Sequence, residues 1–303
     1  MSPPPLALVG PTASGKSDVA MALAAVLPGA EVLSIDSMQV YRGMDIGTAK
    51  PSADERARVP HHLIDLLDPD EECSVWWFRH QAELALDDVR GREAVPLLVG
   101  GTGLYHRALI DDLDIPGQWP DVRAEVDADP DTAALHRRLA ELDPIAASRM
   151  EPSNRRRVVR ALEVTLGSGR PFSSYGAGLD TYPPTEIVQV GLRTERSTLA
   201  SRLDRRIDLM LDRGLVDEVR ALDARREGWS RTAAQALGYR QLLPHVRGEA
   251  TLEACIEQMR ADTRRFATRQ ERWFRRDPRV RWVDVDGLEA GAVADAVLDI
   301  WSS

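Results

Sequence analysis

The residues best suited to chemistry stand near the start of the chain. Gly10-Pro11-Thr12-Ala13-Ser14-Gly15-Lys16-Ser17 fits the pattern G-x-x-x-x-G-K-[ST] in full. The glycines of such a loop let the backbone curl until successive N–H groups point inward at phosphate oxygens. The helix that follows aims the positive end of its dipole at the same place. Lys16 adds a point charge, and the Ser17 hydroxyl is suited to coordinate Mg²⁺. The loop therefore predicts a diphosphate or triphosphate ligand without saying whose. Two further candidates, Asp36 and Thr102, follow other apolar runs.

Positioning these groups requires strands that end beside one another. Residues 6–9 form a short apolar run ending at Gly10, and residues 18–27 have helical composition closed by Pro28 and Gly29. Residues 31–35 read as a second buried strand ending at Asp36. Residues 95–99 read as a third, which runs into Gly100-Gly101-Thr102-Gly103 and another helical segment. Strands alternating with helices predict an α/β fold: a P-loop NTPase-like parallel sheet flanked by helices, with ligands at the carboxyl ends of the strands. Lys16, Asp36 and Thr102 all fall at such ends. The chain divides into a first part of the core (1–115), an inserted mostly helical domain (116–182), and a second part of the core (183–303). Helical segments 132–142 and 155–166 lie in the insert; an apolar run at 187–192, long Arg-rich helices and a last strand at 280–285 follow it.

With 43% hydrophobic and 29% charged residues in 303, the composition is that of an ordinary globular protein able to bury a large core. No apolar run is long enough for a membrane helix, and residues 1–8 lack the features of a signal peptide. The expectation is a cytoplasmic protein without membrane contact. Cys73 and Cys255 belong to no metal or disulfide spacing and read as small buried or semi-buried side chains. The net charge of −9 argues weakly against nucleic acid, but phosphate is bound by local basic surface rather than by an average. Arg155, Arg156, Arg157 and Arg160 form one cluster. Arg265, Arg269, Arg272 and Arg276 form another, sharing a helix face beside an apolar stripe of Ile256, Met259, Phe266 and Trp273. His61 and His62 point apart in any regular element and have no third ligand in view, so a structural role is expected. Trp76 and Trp77 are expected to be packed. No heptad pattern is present, and a monomer with no obligate protein partner is the default.

The segment from Asp36-Ser37-Met38-Gln39-Val40-Tyr41-Arg42 to Gly47-Thr48-Ala49-Lys50-Pro51 is not required by a generic P-loop kinase. Together with the phosphate loop, Pro60-His61-His62-Leu63-Ile64-Asp65, Leu98-Val99-Gly100-Gly101-Thr102-Gly103-Leu104-Tyr105 and Gly238-Tyr239-Arg240-Gln241, it resembles the bacterial tRNA dimethylallyltransferases (isopentenyltransferases). The matches are collinear from Gly10 to about Trp273. Cys73 departs from the pattern, which has an aromatic residue before Ser74.

The resemblance implies that the exocyclic N6 amine of the adenine 3′ to the anticodon attacks the allylic carbon of dimethylallyl diphosphate and expels diphosphate. Asp36 would be the base. Lys16, Thr102, the loop amides, Mg²⁺ and Arg206 would stabilise the leaving group. Asp36, Ser37, Met38 and Gln39 would line the channel for the base. Thr102, Arg123, Arg156, Arg157, Arg160, Gly238, Tyr239 and Arg240 would approach the tRNA anticodon stem-loop. Two alternatives remain open: a kinase using ATP, in which Asp36 coordinates Mg²⁺, and a noncatalytic P-loop protein that binds RNA.

Overall fold

The computed structural model describes residues 4–176, 179 and 181–303. The chain separates into two compact units: Met1–Ile110 with Pro184–Ser303, and Asp111–Pro183. The sequence punctuation at Pro116 thus lies inside the second unit.

The first unit opens with β1 (Leu6–Val9), α1 (Lys16–Val26), β2 (Ala30–Ser34), α2 (Ala53–Arg58), β3 (His61–His62), α3 (Val75–Gly91), β4 (Val95–Gly100) and α4 (Gly103–Ile110). The second unit holds α5 (Pro120–Asp127), α6 (Thr132–Leu142), α7 (Pro144–Ser148) and α8 (Arg155–Ser168). Its own core gathers Val126, Leu135, Leu139, Val158 and Leu162. The first unit resumes with β5 (Val188–Arg193), α9 (Arg196–Asp212), α10 (Leu215–Asp223), α11 (Tyr239–Val246), α12 (Leu252–Phe274), β6 (Arg281–Asp284) and α13 (Ala290–Trp301).

The strands form one sheet in the order β3-β2-β4-β1-β5-β6, and every pairing is parallel. Alternate residues of the apolar runs serve opposite faces. Ala7, Leu33 and Leu98 join one core with Phe78 of α3, Leu242 of α11 and Met259 of α12. Leu6, Leu8, Val32 and Leu97 join another with Leu23 of α1 and Val297 of α13. Strand β4 lies between β1 and β2, and β5 lies on the far side of β1. The strand order therefore reverses at the carboxyl ends of β1 and β4, where a crevice suits ligand binding.

Register brings these ends level. Val9 stands opposite Gly100, and Ser34 opposite Val99. The Ile35 N–H donates to Val99 O at 2.8 Å. Gly100 is required here because a Cβ would lie 2.1 Å from Ile35 O, a backbone atom that can yield only if β2 leaves β4. Accordingly, Gly100→Ala should lower stability by about 1–3 kcal/mol or more, as overpacked cores do. Urea unfolding followed by circular dichroism measures this, and an unchanged midpoint would contradict the tight approach.

Candidate active site

The phosphate loop starts where β1 ends. A Cβ on Gly10 would lie 2.8 Å from Leu192 O, so the loop must leave the sheet without a side chain. Gly15, at φ 90°, turns the chain into α1 in a left-handed conformation that glycine adopts readily. The Lys16 ammonium donates to Gly10 O at 3.0 Å and to Pro11 O at 2.7 Å, folding back across the loop. Ser17 is exposed in the first turn of α1. Ala13 packs on Leu199 and Leu203 of α9 and Ala267 of α12. Leu199, Leu203 and Ile207 are among the buried residues of α9, and Arg206 is half-buried between the last two.

Three charges interact at this place. Burial, and then the nearby Arg206 cation, push Lys16 down to about 7, opposed by the attraction of Asp36. Burial pushes the Asp36 carboxyl up, opposed by the Met38 N–H and by Arg206 and Lys16. Burial likewise lowers Arg206, again opposed by Asp36. Lys16, Asp36 and Arg206, 190 residues apart in sequence at the extremes, thus lie within electrostatic reach of one another. Asp36 Oδ1 accepts from Met38 N–H at 2.9 Å, which orients the carboxylate. The Ser37 N–H makes a long 3.4 Å bond to Thr102 Oγ1, setting the hydroxyl beside the Asp36 segment.

The turn after β4 is closed by α12. Gln270, buried at 8% exposure, accepts from Thr12 N–H at 2.9 Å and donates to Gly101 O at 2.9 Å. A Cβ on Gly103 would lie 2.2 Å from the Trp273 ring, so that indole covers the start of α4. The buried side of α12 is Cys255, Met259, Thr263, Ala267, Gln270 and Phe274. This corrects the stripe expected at Ile256, Met259, Phe266 and Trp273: a Thr and a Gln occupy buried positions, and the Gln does so because polar backbone atoms await it. Of the four expected arginines, Arg265 pairs with Asp262, and Arg269 sits 5.7 Å above the Phe266 ring. Arg276 lies beyond the helix end.

A second support holds the Asp36–Gln39 segment from behind. The Gln39 amide donates to Thr48 O at 3.1 Å and Ala49 O at 3.2 Å, and its oxygen accepts from Ser34 Oγ at 2.7 Å. The loop carrying those carbonyls is gripped by Glu218 of α10. Its carboxylate accepts the N–H groups of Asp45 (3.1 Å), Ile46 (2.8 Å) and Gly47 (3.2 Å), and the Tyr239 hydroxyl.

Tyr239 is therefore not a surface contact for RNA. It is fully buried, and a Cβ on Gly47 would lie 2.4 Å from its ring. Gly238 is buried as well, while Arg240 is exposed and paired with Asp262 at 3.0 Å. Neither Gln270 nor Glu218 stood out in the sequence; a polar residue among the charged residues of a helix carries no local mark of the backbone groups it will bind.

In the second unit, the buried carboxylate of Glu163 binds Arg123 at 3.0 Å, Arg160 at 2.7 Å and Trp119 N–H at 3.0 Å. Arg160 also donates to Pro116 O and Gly117 O, both at 2.9 Å. Arg123 and Arg160 thus organise the unit itself, a correction to their reading as RNA contacts. Arg155 donates to Asp127 O at 2.8 Å and Asp129 O at 2.7 Å. Arg156 and Arg157 are exposed, with no ion pair among the described residues.

The remaining candidates are structural. His62 contacts Glu31 at 2.6 Å and His61 contacts Val59 O at 2.8 Å. Trp77 packs on the core, but Trp76 is 58% exposed and stacks on His80, contrary to the packing expected for it. Cys73 and Cys255 are buried, and burial pushes the Cys73 thiol up to about 12. No group of three or more His, Cys, Asp or Glu able to hold a metal occurs among the described residues.

The chain matches the family model described as IPP transferase over residues 39–277, and that of isopentenyl transferase over residues 6–64. It is 50% identical over 299 residues to the tRNA dimethylallyltransferase of Kocuria rhizophila, covering 96% of this chain and 94% of that protein. The crystal structure of the tRNA isopentenylpyrophosphate transferase of Bacillus halodurans superposes with a TM-score of 0.71 at 38% identity, covering 98% of this chain and 96% of that one. A eukaryotic dimethylallyltransferase described as acting on tRNA superposes with a TM-score of 0.81 at 27% identity, covering 97% and 78% of the two chains.

The electrostatics of the site have a consequence for stability. Because the folded-state pKa of Asp36 is raised above its ordinary 3.8, its ionisation weakens the native state at neutral pH. Asp36→Asn should therefore unfold at an equal or higher urea concentration at pH 7.5. The difference should shrink as pH falls through the raised folded-state value and vanish below the ordinary carboxylate value, where both states are protonated. A clear loss of stability at pH 7.5 would contradict the assignment of Asp36 as a desolvated charge.

Proposed function

The chain belongs to the tRNA dimethylallyltransferase (isopentenyl transferase) family, and on that premise we propose how its residues act. As a transferase of this family it moves a dimethylallyl group to tRNA, and we propose dimethylallyl diphosphate as the donor. The acceptor is the exocyclic N6 amine of the adenine 3′ to the anticodon, and diphosphate leaves. The observation that carries this reading is a carboxylate, Asp36, set just past the end of β2, with β4 between it and β1, yet within electrostatic reach of the phosphate-loop lysine.

An aromatic exocyclic amine is a weak nucleophile because its lone pair is delocalised. A base that accepts its proton as the bond forms contributes about 10²–10⁴-fold. Asp36 is suited to this: its raised pKa makes it a stronger base than an ordinary carboxylate, and the Met38 N–H fixes its orientation. Thr102, beside Ser37, would hold a polar group of the reacting pair. At the other end, charge gathers on the diphosphate as its bond to the allylic carbon breaks. The loop amides, Lys16 and Arg206 would meet that charge there, set in place before reaction begins. Lys16, held near 7 by burial, would take up a proton fully when the polyanion approaches.

Mg²⁺ fits this site in a limited way. Ser17 offers an exposed hydroxyl at the start of α1, and no carboxylate cage among the described residues competes for the ion. Ser17 would hold the ion together with phosphate oxygens and water, as Mg²⁺ prefers. When bound it would neutralise charge on the departing diphosphate.

The tRNA would need only to unstack a loop base to present it, at a cost of a few kcal/mol. Arg156 and Arg157, exposed on α8 of the second unit, suit backbone phosphates. No described helix is long and apolar enough to cross a membrane. A cytoplasmic location and action without an obligate protein partner complete the proposal.

The reading is tested by incubating the protein with dimethylallyl diphosphate and unmodified tRNA, then digesting the RNA and locating the modified base by mass spectrometry. Modification should fall on the adenosine 3′ to the anticodon and vanish when guanosine replaces it; modification elsewhere would refute the acceptor assignment. Asp36→Ala should lower kcat by about 10²–10⁴-fold with little change in tRNA affinity. In the wild type, kcat should fall on the acid side with a midpoint above the ordinary carboxylate value, since the base must be ionised. Arg156→Ala should weaken tRNA binding and reduce its salt slope by about 1, measured by filter binding at several salt concentrations.

A further inference from the structure

We propose that Gln270 is a positioning residue that locks the phosphate loop to the turn carrying Thr102, and so sets the separation between the leaving diphosphate and the accepting amine. The inference rests on the functional reading above. A planar amide has one accepting and one donating end. In Gln270 each end meets a complementary backbone group of a different loop: Oε1 takes the Thr12 N–H at 2.9 Å, and Nε2 gives its proton to Gly101 O at 2.9 Å.

Both bonds lie within a few residues of working groups. Lys16 rests on the carbonyls of Gly10 and Pro11, next to Thr12, while Thr102 follows Gly101 directly. Space enforces the pairing, since a Cβ on Gly101 would lie 2.3 Å from Gln270 Nε2 and 3.2 Å from Gly10 O. The bracket also withdraws the Thr12 N–H from the set of amides that can face phosphate. Gln270 touches no reacting atom; it holds two loops that do. A misplacement of about 1 Å between groups so held costs on the order of 10²-fold in rate.

Glutamate provides the discriminating variant. A protonated glutamic acid matches the amide in shape: its carbonyl oxygen accepts from Thr12, and its hydroxyl donates to Gly101 O. An ionised one lacks the donor and sets a negative oxygen against a carbonyl oxygen. Burial and that carbonyl both raise the acid's pKa.

Measured as kcat at saturating tRNA and dimethylallyl diphosphate, the ratio of Q270E to wild type should therefore rise as pH is lowered. The titrations of Lys16 on the loop and Asp36 after β2 are common to both proteins, and Arg206 on α9 stays charged, so to first order they drop out of the ratio. Q270L should lose about 10²-fold in kcat at every pH, with the KM for tRNA unchanged. Hydrogen exchange should find the Thr12 amide protected in the wild type and unprotected in Q270L, a reading independent of turnover.

Wild-type kcat in both variants, a Q270E ratio flat with pH, or a Thr12 amide equally protected in Q270L would each overturn the proposal. Failure of the wild type itself to prenylate tRNA would instead count against the functional reading, and the exchange measurement would still decide the bracket.

Discussion

Three partly buried ionisable groups govern this site. Burial is the leading cause of the shifts at Lys16, Asp36 and Arg206, and in each case it disfavours the charged form. Their mutual attractions offset only part of that cost, because two cations face one carboxylate. In the proposed reaction, a ligand with several negative oxygens would supply what the cations lack, and an amine giving up its proton would supply what the carboxylate lacks. The cluster is thus electrostatically costly by itself in the two senses that the proposed reaction would relieve, a usual tension between function and stability.

Keeping such charges in place demands a rigid frame, and the frame is built by close backbone approach. Gly100 lies against the carbonyl of Ile35, Gly101 against the Gln270 amide, and Gly103 against the Trp273 indole. The turn after β4 is thereby fixed by the end of β2 on one side and by α12 on the other. Behind β2, Glu218 gathers three consecutive N–H groups of residues 45–47, and the loop so held supports Gln39. Elements far apart in the chain converge here: Gln270 reaches Thr12 across a separation of 258 residues.

What could be read from sequence was local. The phosphate loop, the strands preceding Gly10, Asp36 and Thr102, and the helices at 132–142 and from 155 are short patterns whose meaning does not depend on distant residues. Their alternation was enough for a parallel sheet. Arg206 carried no such mark, and only the family resemblance pointed to it. Tyr239 and Gln270 were beyond local reading for one shared reason: burial of a polar side chain is decided by its partners, here Glu218 and the backbone of Thr12 and Gly101. The same applies to Arg123 and Arg160, whose cationic character suggests phosphate until the buried Glu163 is found between them. Trp76 errs the other way, a large aromatic left exposed on α3.

The charge cluster around Lys16 is proposed to serve a prenyl diphosphate and an RNA amine rather than a phosphoryl transfer from ATP. This is tested most directly by mixing the protein with Mg²⁺, unmodified tRNA and dimethylallyl diphosphate labelled in its five-carbon group, with no ATP, and following label into RNA. Label should appear in the RNA with release of one diphosphate for each group transferred. No label in the RNA, together with consumption of added ATP and phosphorylation of a small acceptor, would contradict it.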